Sequence, residues 1–238
     1  MTTPWSLTPS RRNAPELMDA PGLPADEVAD AYRVLQRVNR QFFGSLSSLR
    51  RELRRFVEDD QAGRATVSLL DLGSGSGDLP ADARSTLRAL GISPLTLALD
   101  HDPTATAMAA RFDLPSLQGD ALRLPFADRS IDLVTAVKFA HHFHGDPLVR
   151  LLGEMTRVAR RRVLILDLQR HWLAYLGFIA WSRVFTRNRL VQHDGPLSVL
   201  RGFTREELNT LAAPISQFSW TVSTYPGFQL ALVGRRME

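Results

Sequence analysis

The chain has 238 residues, a formal net charge of +4 and no cysteine. This length suits a single α/β domain with a helical addition, and the lack of thiols excludes disulfides, thiolate metal ligands and a cysteine nucleophile. With 44% hydrophobic and 23% charged residues, the composition is typical of a folded enzyme or binding module and argues against a disordered chain.

The first 62 residues are predicted to form an irregular arm followed by a helical cap. Residues 1–24 contain five prolines and no apolar core of a signal peptide, so a cytoplasmic protein is expected. From residue 25 to 57, apolar side chains recur every three or four positions (Val28, Tyr32, Leu35, Val38, Phe42, Leu46, Leu49, Leu53, Phe56), with a break near Gly44. This spacing predicts two amphipathic helices.

Residues 63–238 show short apolar runs that alternate with helical stretches, the pattern of a parallel sheet. Strands are predicted at residues 67–72, 95–100, 116–118, 131–137 and 163–168, and helices at 79–90, 103–111, 147–159 and 171–186. The apolar helix at 171–186 lies in a cap insertion of about 170–203; it is too short to cross a bilayer but could lie on one. A capping box at Thr204 and Glu207 predicts a helix to residue 212, and a hairpin of strands 217–223 and 228–234 follows.

The basic residues are scattered along the chain, with two arginine clusters among them. The clusters are Arg50, Arg51, Arg54 and Arg55 in the cap, and Arg160, Arg161 and Arg162 after the helix at 147–159. Both have acidic neighbours, so we predict solvated helix faces for them.

The strongest motif is a buried strand that runs into a glycine-rich turn, LLDLGSGSGDLP at residues 69–80. Gly73, Gly75 and Gly77 allow a ligand to approach the backbone, and the following helix offers free N–H groups. The dinucleotide motif requires its third glycine where Asp78 stands, which argues against a bound pyrophosphate. Asp71 suits a cationic ammonium or sulfonium instead, although tight turns also use glycine for structural reasons alone.

Two further acids follow the next strands. Asp100 ends the second strand, where a carboxylate can accept both hydroxyls of a ribose, or can cap the helix that begins at Pro103. Asp120 follows the third strand and, with the backbone N–H of Ala121, could contact an adenine; the alternative is an aspartate of an ordinary turn. Because these residues share one edge of the sheet, they predict a single nucleoside site.

These residues resemble the motifs of the class I S-adenosylmethionine (SAM)-dependent methyltransferases. Asp71-x-Gly73-x-Gly75-x-Gly77 resembles their first motif, Asp100 their ribose acid and Asp120-Ala121 their adenine contact. The run from Asp120 to Phe143 is similar to the branch that includes the ubiquinone and menaquinone biosynthesis enzymes, and the PELMD and QHDGPLSVLRGFT segments are similar to methyltransferases associated with polyketide pathways.

The resemblance implies a Rossmann-like, seven-stranded, mostly parallel sheet with an antiparallel last strand, and SAM as the cofactor. It adds Ser74, His101 and Lys138 to the expected cofactor contacts, and no metal is expected. Lys138 could instead hold an anionic acceptor.

Histidines follow the fourth strand at the same edge, as His141, His142 and His144. A histidine is suited to remove a proton from a phenol or enol acceptor, and His142 is our first choice, with His141 beside it. The alternative is a loop that only packs over the cofactor. His193 and Asp194 could also face the acceptor, but Asp194-Gly195-Pro196 favours an ordinary turn.

The sequence therefore predicts a SAM-dependent enzyme that methylates oxygen or carbon of a phenolic, quinol or polyketide-like small molecule. RNA is the alternative substrate because of the positive charge, although the fourth strand lacks the motif of amino-methylating DNA enzymes. A non-catalytic SAM-binding domain is a further alternative, and a dehydrogenase is disfavoured by the position of the third glycine.

Overall fold

A computed structural model describes residues 8–20, 22–41, 44–60 and 65–237 of the chain. Its strands are β1 (Thr66–Leu72), β2 (Ser93–Asp100), β3 (Ser116–Gln118), β4 (Ile131–Val137), β5 (Ala159–Leu168), β6 (Phe218–Tyr225) and β7 (Gln229–Arg236). Its helices are α1 (Ala25–Gln41), α2 (Ser45–Asp60), α3 (Asp78–Ala89), α4 (Pro103–Ala109), α5 (Asp146–Val158), α6 (Trp172–Phe185), α7 (Arg189–Arg201) and α8 (Arg205–Ala212).

The strands form one seven-stranded sheet in the order β3-β2-β1-β4-β5-β7-β6. The strands β1 to β5 pair in parallel, and β7 enters between β5 and β6 antiparallel to both. The predicted Rossmann-like sheet with an antiparallel last strand is therefore confirmed. The chain order reverses between β1 and β4, and ligands of such sheets bind beyond the carboxyl ends of the strands at this point.

Helices cover both faces of the sheet. On one face α5 packs on β4 and β5 and α8 packs on β6 and β7, and on the other α3 packs on β2 and α2 packs on β5. A third apolar cluster joins α1 to α6 and α7, where Phe178 is buried.

The helix α2 thus packs on the sheet, whereas α1 packs with the predicted cap insertion. The proposed domain boundary after residue 62 falls in residues 61–64, and Phe42 also lies outside the described residues.

The arginines at 160–162 do not lie on a solvated helix face, as the sequence had suggested. The chain passes from α5 into β5 at Ala159 without a loop, so the three arginines belong to a strand paired on both sides. Arg160 and Arg161 form ion pairs with Asp132 of β4, and the buried Arg162 pairs with Asp59. Ion pairs to a neighbouring strand and to α2 therefore allow arginine at these positions.

The predicted turn at Asp194-Gly195-Pro196 is also wrong, because these residues lie inside α7. Asn188 caps the start of this helix by accepting a hydrogen bond from the Val191 N–H. A Cβ at Gly195 would lie 1.9 Å from the ring of Phe178, so glycine here allows α7 to pack closely on α6. This tight packing stabilises a helix whose sequence favours a turn.

Candidate active site

A cavity of about 820 Å³ lies at the carboxyl edge of the sheet. This volume falls within the roughly 300–1,000 Å³ of small-molecule sites. The glycine turn and the ends of β2 and β3 form one side, and the segment after β4 forms another. Residues of the N-terminal arm, α1 and α7 close it from above.

The glycine turn lines the cavity through Gly73, Ser74 and Gly75. Gly73 and Gly77 have positive φ angles of 63° and 81°. A Cβ at Gly77 would lie 2.7 Å from the Cα of Ala109, so glycine allows the turn to pack against α4. Gly77 itself does not line the cavity, and its role is to shape the turn.

Asp71 lies beneath the turn and does not face the cavity, which differs from its predicted cofactor contact. Its carboxylate accepts a hydrogen bond from the Thr135 hydroxyl at 2.6 Å, and its carbonyl accepts one from the Ser74 hydroxyl at 2.8 Å. Burial raises the pKa of Asp71 to about 7, although Thr135 and Ser74 oppose the shift. Asp71 thus holds the turn to β4 from below.

Asp100 lines the cavity at the end of β2. Its carboxylate accepts hydrogen bonds from the N–H groups of Gly75 at 2.8 Å and Asp102 at 3.0 Å. The residue that caps α4 is Asp102, which also accepts from the Tyr32 hydroxyl. His101 lines the rim with a largely exposed side chain. Asp100 therefore ties the glycine turn to the loop after β2 and keeps acceptor capacity toward the cavity.

Asp120 and Ala121 line the same side of the cavity, beyond β3. The Asp120 carboxylate accepts a hydrogen bond from the Leu122 N–H at 2.8 Å, which is the turn geometry of the alternative interpretation. The turn leaves this exposed carboxylate at the rim of the cavity.

Lys138 and Asp78 provide opposite charges where the turn meets β4. Lys138 follows β4 with a positive φ of 53°, and both residues line the cavity. Burial lowers the pKa of Lys138 to about 7, although Asp167 and Asp78 raise it. Asp78, at the start of α3, accepts a hydrogen bond from the Ser76 hydroxyl. The sequence had not singled out Asp78 as a ligand.

His141 lies on the cavity wall and is held by two carboxylates. Its Nδ1 is 2.7 Å from Oδ1 of the fully buried Asp167, and its Nε2 is 3.7 Å from Oε1 of Glu16. Burial alone would lower the pKa of His141, but Asp167 and Glu16 raise it to about 9. A protonated imidazole cannot accept a proton, so this geometry does not suit His141 as a general base.

His142 is the more accessible histidine of the wall, with 25% of its side chain exposed. Its Nδ1 is 3.4 Å from Asp19 Oδ2, and its Nε2 is 3.7 Å from Glu16 Oε2. His144, two residues further on, is exposed and does not line the cavity. Of the three histidines, His142 is the one that both lines the cavity and is partly exposed.

The N-terminal arm supplies two acids that the sequence did not identify as site residues, Glu16 and Asp19. The Asp194 carboxylate accepts hydrogen bonds from the N–H groups of Leu17 and Met18, which fixes the arm to α7. Glu16 is only 6% exposed and accepts a hydrogen bond from the Ser198 hydroxyl at 2.8 Å. Burial would raise the pKa of Glu16, but His141, His142 and Ser198 lower it to about 2. The arm therefore places charged carboxylates against the two histidines.

Arg201 fixes the histidine segment from the other side. Its guanidinium donates to the carbonyl oxygens of His141 at 3.2 Å and His142 at 2.7 Å. Its Nη1 also lies 3.7 Å from Glu16 Oε1. His193 lies on α7, outside the cavity lining, with Nδ1 2.7 Å from Asp194.

Comparison with known proteins decides the family of this site. Residues 70–166, which carry the glycine turn and the histidine segment, match a methyltransferase domain family. This segment therefore belongs to the methyltransferase domain family. A demethylmenaquinone methyltransferase of Beutenbergia cavernae is 36% identical over 107 residues, which are 45% of this chain and 42% of that protein. The match thus spans less than half of the curated relative.

Solved structures show that the methyltransferase fold extends beyond the matched residues. The plantazolicin methyltransferase BpumL, in complex with S-adenosylhomocysteine (SAH), has a TM-score of 0.64 at 13% identity and covers 89% of this chain and 90% of its own. Magnesium protoporphyrin IX methyltransferase from Synechocystis PCC 6803, with bound SAH, has a TM-score of 0.57 at 12% identity, with 82% and 84% covered. At such low identity these structures support the fold of the methyltransferase domain.

Proposed function

We propose that this protein transfers a methyl group from SAM to oxygen or carbon of a small phenolic, quinol or polyketide-like acceptor. One observation carries the proposal. The glycine turn with Asp100 lines the same cavity as the histidine wall, which consists of His141 and His142. SAM held by the glycine turn and Asp100 would then direct its sulfonium group toward His142.

The described residues offer a suitable group for each part of SAM. Asp100 would accept the ribose hydroxyls, and Asp120 with Ala121 would meet the adenine. At the other end, Asp78 suits the ammonium group and Lys138 the carboxylate of the amino-acid part, since both line the cavity with opposite charges. Asp71 supports this arrangement from below rather than by contact.

The acceptor would bind between the histidine wall and an apolar surface from the arm, α1 and α6. Met18, Leu35, Phe143 and Phe178 line this part of the cavity. Apolar walls with a few polar groups are typical of sites for aromatic ligands. The demethylmenaquinone and magnesium protoporphyrin IX methyltransferases, to which the chain is similar, are named for small-molecule acceptors, which supports an acceptor of this class.

SAM, when bound, supplies a methyl group on a positively charged sulfur, which leaves with the electron pair of the broken S–C bond as SAH. His142 accepts the proton of the acceptor hydroxyl at Nε2, while Asp19 holds its Nδ1. The arm and α7 would cover the bound acceptor and limit the access of water. Alignment and water exclusion supply most of the rate acceleration, because the leaving group is already activated.

Binding and turnover together test the proposal. Calorimetry is expected to show binding of SAM and SAH but not of NAD, and labelled methyl groups are expected to pass from SAM to members of a panel of phenols and quinols. Binding without any turnover would favour the non-catalytic alternative. Binding of RNA with a steep salt dependence, together with its methylation, would favour the RNA alternative.

The outer face of α6 favours delivery of a lipophilic acceptor from a membrane surface. Within the described residues, no helix is both long and apolar enough to span a bilayer. However, Leu173, Leu176, Val184 and Phe185 of α6 are all more than half exposed. Leu173, Leu176 and Val184 lie on one side of the helix, and Phe185 lies at its end. Arg183 and Arg187 are exposed next to them. An exposed apolar surface beside cationic side chains is expected to favour contact with anionic bilayers.

We therefore expect the protein to sediment with phosphatidylglycerol vesicles and less with neutral phosphatidylcholine vesicles. The double substitution Leu173→Ser and Val184→Ser should reduce sedimentation with the anionic vesicles several-fold, since it removes exposed apolar area that would otherwise be buried in lipid. A matched control is Leu95→Ser, because Leu95 is equally exposed but lies on β2, away from α6. Equal sedimentation of all three proteins would contradict the expected contact.

A further inference from the structure

We propose that Glu16, His141 and His142 form a binding site for a divalent transition-metal ion on the acceptor side of the cavity. Each residue offers one ligand atom, and the three atoms lie within 4.8 Å of one another. Two imidazoles and one carboxylate are a donor set for Fe²⁺, Co²⁺, Ni²⁺ or Zn²⁺. No such site was expected from the sequence, since the acid lies more than a hundred residues from the histidines.

The distances between the ligand atoms are slightly longer than the distances between neighbouring ligands around a bound ion. Nε2 of each histidine lies 3.7 Å from a Glu16 oxygen. Bonds of about 2.0–2.2 Å place neighbouring ligands roughly 3–3.5 Å apart. Small side-chain rotations would bring the three atoms to coordination distance.

The residues behind the ligands provide the support that metal sites require. Metal-binding histidines usually donate their second ring N–H to a carboxylate, which orients the ring. His141 directs Nδ1 to Asp167 Oδ1 at 2.7 Å, and His142 directs Nδ1 to Asp19 Oδ2 at 3.4 Å. The Ser198 hydroxyl, 2.8 Å from Oε1, holds Glu16 in place.

The charges around the site also favour a cation. The carboxylates in contact with the two imidazoles are those of Glu16, Asp19 and Asp167. Arg201 lies within 3.9 Å of the first two and contributes one positive charge. The ligand atoms thus lie among carboxylates, which attract a divalent cation.

The ion would lie in the wall that faces the acceptor, because all three ligands line the cavity. This role rests on the proposed function and replaces that of His142 as a base, because a metal-bound Nε2 cannot accept a proton. The ion would act as a Lewis acid that binds the acceptor oxygen and favours its ionised form. The remaining coordination positions are those that the acceptor and water would take. This places oxygen acceptors, and among them those with two neighbouring oxygens, ahead of carbon acceptors.

The test is a titration of the EDTA-treated protein with Co²⁺, followed by visible absorption and by metal analysis after gel filtration. We expect one ion per chain, and at least about 100-fold weaker binding in His142→Ala, which removes a ligand. Glu16→Gln, which keeps the shape of the side chain, should also weaken binding and change the absorption bands. His144→Ala is the matched control, since this exposed histidine lies outside the cluster.

Calorimetry with SAH on the same samples separates this inference from the proposed function. Unchanged SAH binding shows that each variant is folded and keeps its cofactor side. If the parent protein takes up no Co²⁺, or if His142→Ala and His144→Ala bind it alike, the metal site is refuted, whatever the SAH result. If SAH does not bind but Co²⁺ does, the metal site stands and the methyltransferase proposal fails.

Discussion

Replacing Asp100 by asparagine is expected to weaken the binding of SAM and SAH by about 100-fold or more. The carboxylate of Asp100 already accepts hydrogen bonds from the Gly75 and Asp102 N–H groups. An amide has one acceptor oxygen, so its NH₂ group would face one of these donors. Hydrogen bonds to a charged group contribute roughly 1.5–3 kcal/mol each. The loss of one bond to the turn and one to the ribose therefore accounts for an effect of this size.

Calorimetry with SAH measures this effect, and Asp113→Asn serves as the matched control. Asp113 is exposed, lies outside the cavity and has a left-handed φ of 52°, a conformation that asparagine tolerates well. Its substitution should leave the dissociation constant unchanged. An unchanged affinity in Asp100→Asn would mean that the cofactor does not lie between the glycine turn and β2.

The sheet and the cofactor side of the cavity could be predicted because their signals are local. A buried strand followed by glycines specifies a tight turn, and an acid at the end of a parallel strand reaches the same edge as its neighbours. The placement of Asp100 and Asp120 at the cavity follows from this rule alone. Asp71 shows the limit of the rule, since the direction of its side chain depends on Thr135 of a neighbouring strand.

The acceptor side could not be predicted, because distant segments of the chain meet there. Glu16 reaches the histidines only because Asp194 holds the arm, and Asp194 lies in a helix whose sequence favours a turn. Tyr32 closes over Gly75 from α1, with its hydroxyl bonded to Asp102. Local periodicity identified Tyr32 as an apolar position of a helix but gave no information on its partner. Such contacts are decided by tertiary packing.

Replacing His142 by alanine is expected to reduce turnover by roughly 10²- to 10⁴-fold, which is the range of general acid–base contributions. The affinity for SAH should change little, since His142 lies on the histidine wall, across the cavity from Asp100 and Asp120. The reason for the loss is that the neighbouring groups are poorer proton acceptors. The pKa of Glu16 is lowered to about 2 and that of Asp19 is also lowered, whereas Asp167 and Glu16 raise the pKa of His141 to about 9.

Single-turnover transfer of labelled methyl groups, measured after EDTA treatment, tests this role in the absence of an added ion. His144→Ala is the control and should retain the parent rate, because its side chain is exposed and outside the cavity. A phenol with a more acidic hydroxyl should recover much of the lost rate in His142→Ala, since such a phenol ionises without help. If His142→Ala kept the parent rate with all acceptors, proton removal would not limit the reaction, and alignment beside the sulfonium would account for the catalysis.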